Sequence, residues 1–152
     1  MKRKLTKISK VLKKPKTESP IEESLYQAFL KFGLEPQCQY PVYPFFIDLA
    51  FPEIKLAIEA DGKDWHWTQD QRDRDDYRQS QLETQGWRVE RFRGWVCKKY
   101  PHVAVAKIAT KYFNDKITDT QKKNAMGILA GFVASVEGDM ELAVKIIDKG
   151  LD

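Results

Sequence analysis

Cysteine is scarce: the chain of 152 residues holds two, Cys38 and Cys97, far apart in sequence. With no close-spaced pair there is no disulfide framework and no zinc-ribbon spacing, and a zinc module would have to gather Cys38, Cys97, His66 and His102 from four separate places. Missing too are a secretory apolar region and any apolar run long enough to span a bilayer. Together with the few cysteines, these absences predict a cytoplasmic protein with no membrane partner. Acidic residues are absent from positions 1 to 16, which carry eight lysines and arginines. Over the whole chain bases outnumber acids 26 to 22, so the remainder is net acidic, with 18 bases against 22 acids. A basic arm on a slightly acidic body suits an arm that neutralises phosphates and a body that clusters carboxylates. The plain alternative is a solvated tail. Leu5, Ile8 and Leu12 sit at helical spacing in that arm, which also fits a membrane surface or a transit peptide, although its single arginine counts against transit. The length suits one domain with a real core and a small appendage.

Turn and cap residues divide the body. Ser19-Pro20-Ile21-Glu22 has the form of a capping box with proline at the first helical position, the glutamate reaching back to the cap amide. Ile21, Leu25, Phe29 and Phe32 then share a face until Gly33, which predicts a helix over 20–32. From Gln37 the period shortens to two, with Pro41, Pro44 and Pro52 as breaks, predicting strands over 37–42, 45–51 and 55–61. Strict alternation puts Phe45, Ile47, Leu49 and Phe51 on one face and Phe46, Asp48 and Ala50 on the other. In the third strand it groups Ala57, Glu59 and Asp61, so Asp48 and Glu59 can meet if the two strands pair. A charged helix over 69–85 ending at Gly86, a strand over 87–92 and a helix over 102–113 follow, an α/β order. Residues 114–124 read as a linker, and Ala125, Ile128, Leu129, Phe132, Val133 and Val136 as a helix. Gly138 breaks it, and Met140 to Leu151 repeats the pattern. The stretch from Gly138 also resembles the second half of an ankyrin repeat, but one copy cannot stack into an array. The predicted organisation is a basic arm over 1–18, a domain over 19–113 and a helical extension over 114–152.

Asp48 and the Glu59-Ala60-Asp61 triplet offer hard oxygen ligands at adjacent strand ends, the kind of set that suits Mg²⁺ in an open cleft. Such spacing alone is weak in a chain so rich in charge, since solvated strand-end acids give the same pattern. The wider order of motifs is more specific. Ser19-Pro20-Ile21-Glu22, Phe46-Ile47-Asp48, Ile58-Glu59-Ala60-Asp61-Gly62 with Trp65-His66, Asp75 to Arg78 with Leu82, and Gly86 to Phe92 follow one another over residues 19 to about 110. In this order they resemble the PD-(D/E)XK nuclease superfamily, most nearly the very-short-patch-repair endonucleases and their relatives.

That resemblance implies a restriction-endonuclease-like αβββαβ core, a mixed central sheet flanked by helices, with the C-terminal helices as an extension. It implies a metal-dependent endonuclease that hydrolyses DNA phosphodiesters with a Mg²⁺-activated water, Mn²⁺ being able to substitute. Asp48 and Glu59 would bind the metal, with the Ala60 carbonyl as a further ligand. Glu22 matches the first-helix glutamate of many members, with capping as its ordinary reading. Asp61 stands where the superfamily has the lysine that helps orient or activate water. His66 is the substitute for that role as acid or base, and Asp61 becomes a ligand or its support. Trp65 and Trp67 can stack on bases, core packing being the alternative. Lys63, Lys55, Arg88, Arg91 and Arg93 are candidates for phosphate contact, each also explicable as a solvated surface charge. Asp75 and Arg78 are expected to pair locally on their helix and support the site. The competing reading is a catalytically inactive nuclease fold that binds DNA or docks a partner, supported by the missing lysine. The C-terminal helices are compatible with completing the core, with a homodimer interface or with a larger protein partner.

Overall fold

The computed structural model describes residues 17–62 and 68–135. The basic residues 1–16, the stretch 63–67 with Lys63, Trp65, His66 and Trp67, and the segment 136–152 lie outside the described residues. Helix α1 runs from Pro20 to Phe32, capped by the Ser19 hydroxyl, which accepts from the Glu22 amide. The glutamate departs from the reciprocal capping geometry: its carboxylate accepts from the Glu18 amide at 2.9 Å and from the Ser19 hydroxyl at 3.4 Å, while the side chain is buried toward the sheet. At the other end Gly33 turns left-handed at φ 100°, and its amide and that of Leu34 close onto Leu30 and Phe29.

Three strands follow, β1 (Gln37–Val42), β2 (Phe45–Phe51) and β3 (Leu56–Asp61), and after helix α2 (Gln69–Thr84) comes β4 (Arg88–Arg93). The sheet order is β1-β2-β3-β4, the first two pairings antiparallel and β3 with β4 parallel. A parallel pair needs a crossover, which α2 supplies. This mixed sheet flanked by helices is the predicted fold class. β3 begins one residue later than alternation suggests, because Pro52–Ile54 form a 3₁₀ turn closed by Lys55 at φ 48°. A short helix α3 (Gly94–Lys99), which the sequence pattern did not suggest, leads into α4 (Pro101–Tyr112).

The larger core lies where α1 and α4 cover the sheet, with Leu25, Phe29, Leu49, Phe51, Leu56, Ile58, Phe92 and Ile108 all buried. Each such side chain contributes roughly 1.5–3 kcal/mol on burial. A smaller cluster on the other face joins Ile47, Ala50 and Ala57 to Leu82 and Trp87. The last described helix, α5, runs from Asp119 to Ser135, so residues 119–124 are helical rather than linker. Thr118 and Gln121 cap it reciprocally, Gln121 N to the threonine hydroxyl at 3.1 Å and Thr118 N to the glutamine side chain at 2.8 Å. Gln121 also donates to the Phe32 carbonyl, docking α5 on the end of α1, and Phe132 packs edge-on against Tyr100.

Strict alternation fails in one place. Leu49 and Phe51 belong to the larger core, but Ile47 is in the smaller cluster with Phe45 packed against it, on the side of Ala50. On β1 the same change separates Cys38, which packs on the larger core, from Tyr40, which packs on the smaller. Register places Gln39 opposite Asp48 between these pairs, and Gln39 has φ 48°, the left-handed region that side chains with a Cβ seldom occupy. The two strands therefore exchange faces together at Gln39 and Asp48.

Candidate active site

That irregularity is where the acids gather. A cleft of about 230 Å³ is lined by Glu22, Asp48, Glu59, Ala60, Asp61, Asp75, Arg78 and Arg91. β2 brings Asp48, β3 brings Glu59 to Asp61, α1 brings Glu22 across the end of the sheet, and α2 and β4 supply the remaining wall. The Ala60 amide donates to Asp48 Oδ2 at 3.0 Å and fixes that carboxylate. Gln39 Nε2 bridges two acids, 3.0 Å from Glu22 Oε2 and 3.5 Å from Asp48 Oδ1. Gln39 thus combines a left-handed backbone with hydrogen bonds to two cleft carboxylates.

Arg78 crosses from α2 to donate to Glu59 Oε1 at 2.8 Å and to the Phe46 carbonyl at 2.7 Å. Asp75 pairs with Arg91. Asp75 and Arg78, expected to support the site from their helix, each bond across to the sheet, because Asp75, Arg78 and Leu82 share the face of α2 turned inward. The Arg91 Nε and Nη2 groups are buried with no hydrogen-bond partner among the described residues.

The carboxylates press on one another. Burial, followed by the charge of Asp48, pushes Glu59 up to about 8, against the pull of Arg78. Burial and the charge of Glu22 also raise Asp48, although the Ala60 amide pulls it down. Asp48 and Glu59 are close enough to hydrogen-bond through a shared proton, so around neutral pH the pair holds a proton that a cation would displace.

Of the residues singled out in sequence, Glu22, Asp48, Glu59, Ala60, Asp61 and Arg91 therefore meet in one cleft. Arg93 is level with Asp61 at the cleft end of the parallel pair. Arg88 is not brought there: it pairs in register with Leu56 at the opposite end of the strands, with its guanidinium over the Tyr112 ring. Lys55 caps the end of α2 through the Gln85 carbonyl. Lys63, Trp65, His66 and Trp67 fall outside the described residues. Cys97 is buried and His102 lines a different groove, of about 740 Å³, between α1, α4 and α5, whose described lining has no carboxylate. Among the described residues no three His, Cys, Asp or Glu side chains form a ligand set. Mg²⁺ does not require one, since it binds through one or two carboxylates and keeps several waters, so Asp48, Glu59 and the Ala60 carbonyl suit it chemically.

One residue at the cleft escaped the sequence reading, and a second, Arg78, was read as a support without its bond to Glu59. Gln39 carries no signal of its own, being an uncharged residue inside a strand. Arg78 does carry one: it lies four residues before Leu82, the buried residue of α2, which places it on the inward face.

The model of the REase_MTES_1575 family matches residues 21–111, well over half of the chain. Among solved structures, the catalytic domain of the homing endonuclease I-Bth0305I superposes with a TM-score of 0.52 at 18% sequence identity, covering 66% of this chain and 100% of that one. At that identity the likeness concerns the fold. No curated protein sequence matches the chain.

Proposed function

The chain belongs to the restriction-endonuclease-like family REase_MTES_1575, and from that premise we propose that it is a metal-dependent endonuclease that hydrolyses DNA phosphodiesters. The observation that carries this reading is the crowding of Asp48 and Glu59, whose raised proton affinities mark negative charge that the described residues leave only partly compensated. Asp48, Glu59 and the Ala60 carbonyl would hold Mg²⁺ or Mn²⁺, with Asp61 as a further ligand or a support. When bound, such an ion polarises the phosphodiester and acidifies the attacking water.

The chain's own residues prepare that step. The Ala60 amide and Gln39 fix the direction of the Asp48 carboxylate, and Glu22, tied to the same glutamine, adds negative potential at the cleft wall. Asp48 and Glu59 would have to release their shared proton for both carboxylates to hold such an ion. His66 serves as the acid or base of the reaction, Lys63, Trp65 and Trp67 contact the substrate, and Arg93, level with Asp61, meets it at the cleft. The basic arm over residues 1–18 contributes phosphate contacts without sequence preference. The extension over 114–152 serves a second copy or a larger partner. No helix among the described residues is long and apolar enough to cross a membrane.

The test is incubation of the purified chain with supercoiled plasmid in Mg²⁺ or Mn²⁺, alongside chelator, Asp48→Ala and His66→Ala. Metal-dependent nicking or linearisation that Asp48→Ala abolishes is the expected result. Salt-sensitive binding with no cleavage of plasmid, mismatched, branched or single-stranded DNA would instead assign the fold to a binding module, the reading that Asp61 in place of a lysine favours.

A further inference from the structure

The position two residues after Glu59, where the superfamily places a lysine, holds an acid, Asp61, so the cleft lacks its usual fixed cation on β3. The structure supplies a cation from elsewhere. Arg78 reaches across from α2 to the same carboxylate, and its Nη2 is bound by both Glu59 Oε1 and the Phe46 carbonyl. Its stem lies near Phe45, with the guanidinium carbon 5.8 Å from that ring. The other guanidinium lining the cleft, Arg91, is paired with Asp75. Arg78 is thus a cation in direct contact with a proposed ligand, Glu59.

Resting on the nuclease reading, we propose that Arg78 takes the place of the missing lysine: it is the stand-in cation on Glu59 before metal binds, and it stabilises the phosphoryl oxygens during cleavage. The guanidinium remains protonated at any working pH and so transfers no proton. Its contribution is electrostatic. In hydrolysis the water oxygen bonds to phosphorus as the bond from phosphorus to the leaving oxygen breaks, and negative charge builds on the non-bridging oxygens. A guanidinium has five N–H donors in a planar fork that matches such oxygens, and two bonds through Nη2 do not exhaust it. When an ion takes up the Glu59 carboxylate, the attraction that holds Arg78 there weakens, and the phosphate becomes its better partner. Arg78 thus supplies charge stabilisation and takes no part in proton transfer.

Competition with the ion separates this role from a structural one. A residue that merely positions Glu59 helps metal binding, whereas a stand-in cation opposes it. The test uses Arg78→Gln, which removes the charge but stays polar, and Arg78→Lys, which keeps the charge. Mn²⁺ alone is titrated calorimetrically into each folded protein in buffers of different ionisation enthalpy, so that the proton released on binding is counted and Mn²⁺ affinities are compared for the deprotonated site. DNA binding and single-turnover cleavage are measured separately. Arg78→Gln is expected to bind Mn²⁺ several-fold more tightly than the wild type, to bind DNA nearly as well, and to cleave about 100-fold or more slowly, the usual loss for one donor to a developing charge. Arg78→Lys should recover at least about tenfold of that rate, since the charge survives and only the fork is lost. Weaker or unchanged Mn²⁺ binding in Arg78→Gln overturns the stand-in role, and cleavage within about threefold of wild type overturns the catalytic one. If Arg78→Gln does not fold, Arg78→Lys decides: a rate within about tenfold of wild type supports a charge effect, and a loss beyond about 100-fold refutes it. If the wild type cleaves no DNA, the nuclease reading and the catalytic role fail together, and the Mn²⁺ titration alone still decides whether Arg78 opposes the ion.

Discussion

Glu59→Gln should make the metal-free protein more stable while destroying its proposed activity. Glu59 is buried, and its proton affinity is raised from 4.5 to about 8 by burial and by Asp48. A carboxyl whose folded value lies above its unfolded value contributes stability that is complete below the unfolded value. That contribution is lost as the pH rises through the folded value, here between 4.5 and about 8. At about 1.4 kcal/mol per unit, the wild type at pH 7 has lost on the order of 3 kcal/mol that an uncharged isostere would retain. Glutamine keeps an oxygen for Arg78 and never ionises, so its advantage should be under about 1 kcal/mol at pH 5 and reach its plateau above pH 8. In a chain of this size that corresponds to roughly 6–12 °C in melting temperature at pH 7.

The assay is thermal or urea unfolding of both proteins in chelator at pH 5, 7 and 8, repeated with Mg²⁺. In chelator the gap should widen with pH. With saturating Mg²⁺ the wild type should recover what it lost, while Glu59→Gln, with a ligand removed, gains little. A variant that melts no higher than the wild type at pH 8, or a gap as large at pH 5 as at pH 8, would refute the reasoning.

Gln39→Ala removes both carboxylate bridges yet keeps the left-handed backbone, and should weaken metal binding or cleavage about 10- to 100-fold with the fold intact, read by Mn²⁺ titration and circular dichroism. Glu90 is buried where β4 meets α4; burial alone would raise its proton affinity, but the Lys111 ammonium and the Tyr112 hydroxyl, each 2.5 Å away, and Lys107 at 3.5 Å hold it below the ordinary range. Its contribution to stability is present above the unfolded value of 4.5 and is lost as the pH falls through the folded one, so Glu90→Gln should cost about 3 kcal/mol at pH 7 and flatten the acid limb of the unfolding profile. Gly33→Ala puts a Cβ 2.9 Å from Gln121 Nε2 at φ 100°, and should lower stability by more than about 1 kcal/mol in urea melts by loosening α5 from α1.

The elements were legible where local chemistry terminates them. Ser19-Pro20 with Gly33 bounds α1, and Gly86 ends α2, because caps act within a few residues and depend little on the rest of the fold. The start of α5 was missed: Thr118 and Gln121 have cap spacing, but their polar neighbours read as a linker. The pairing of Asp48 with Glu59 followed from register, and it holds although the alternation used to infer it does not. A period of two encodes faces only along a regular ladder, and a left-handed residue such as Gln39 interrupts the ladder without a mark of its own in the sequence. Arg78 and Asp75 were legible as side chains on one face of α2 that support the site, but their bonds to Glu59 and Arg91 depend on the position of the sheet, which spacing along a helix does not carry.

Why those bonds lie in the cleft follows from what α2 lacks. Sixteen residues long, it buries a single side chain, Leu82, near its C-terminal end. Apolar contact therefore secures only the last turns, and the rest of the helix is tied to the sheet through Arg78 to Glu59 and the Phe46 carbonyl, and through Asp75 to Arg91. Both sheet partners of these ion pairs also line the cleft. The groups that attach the helix are thus among the groups the proposed chemistry needs, and an ion that claims Glu59 loosens one of the ties. Its binding energy must exceed that cost as well as displace the shared proton. A site built this way is less stable empty than a neutral isostere would be and recovers the difference on loading, which is why removing the Glu59 charge should raise metal-free stability and end the response to metal together.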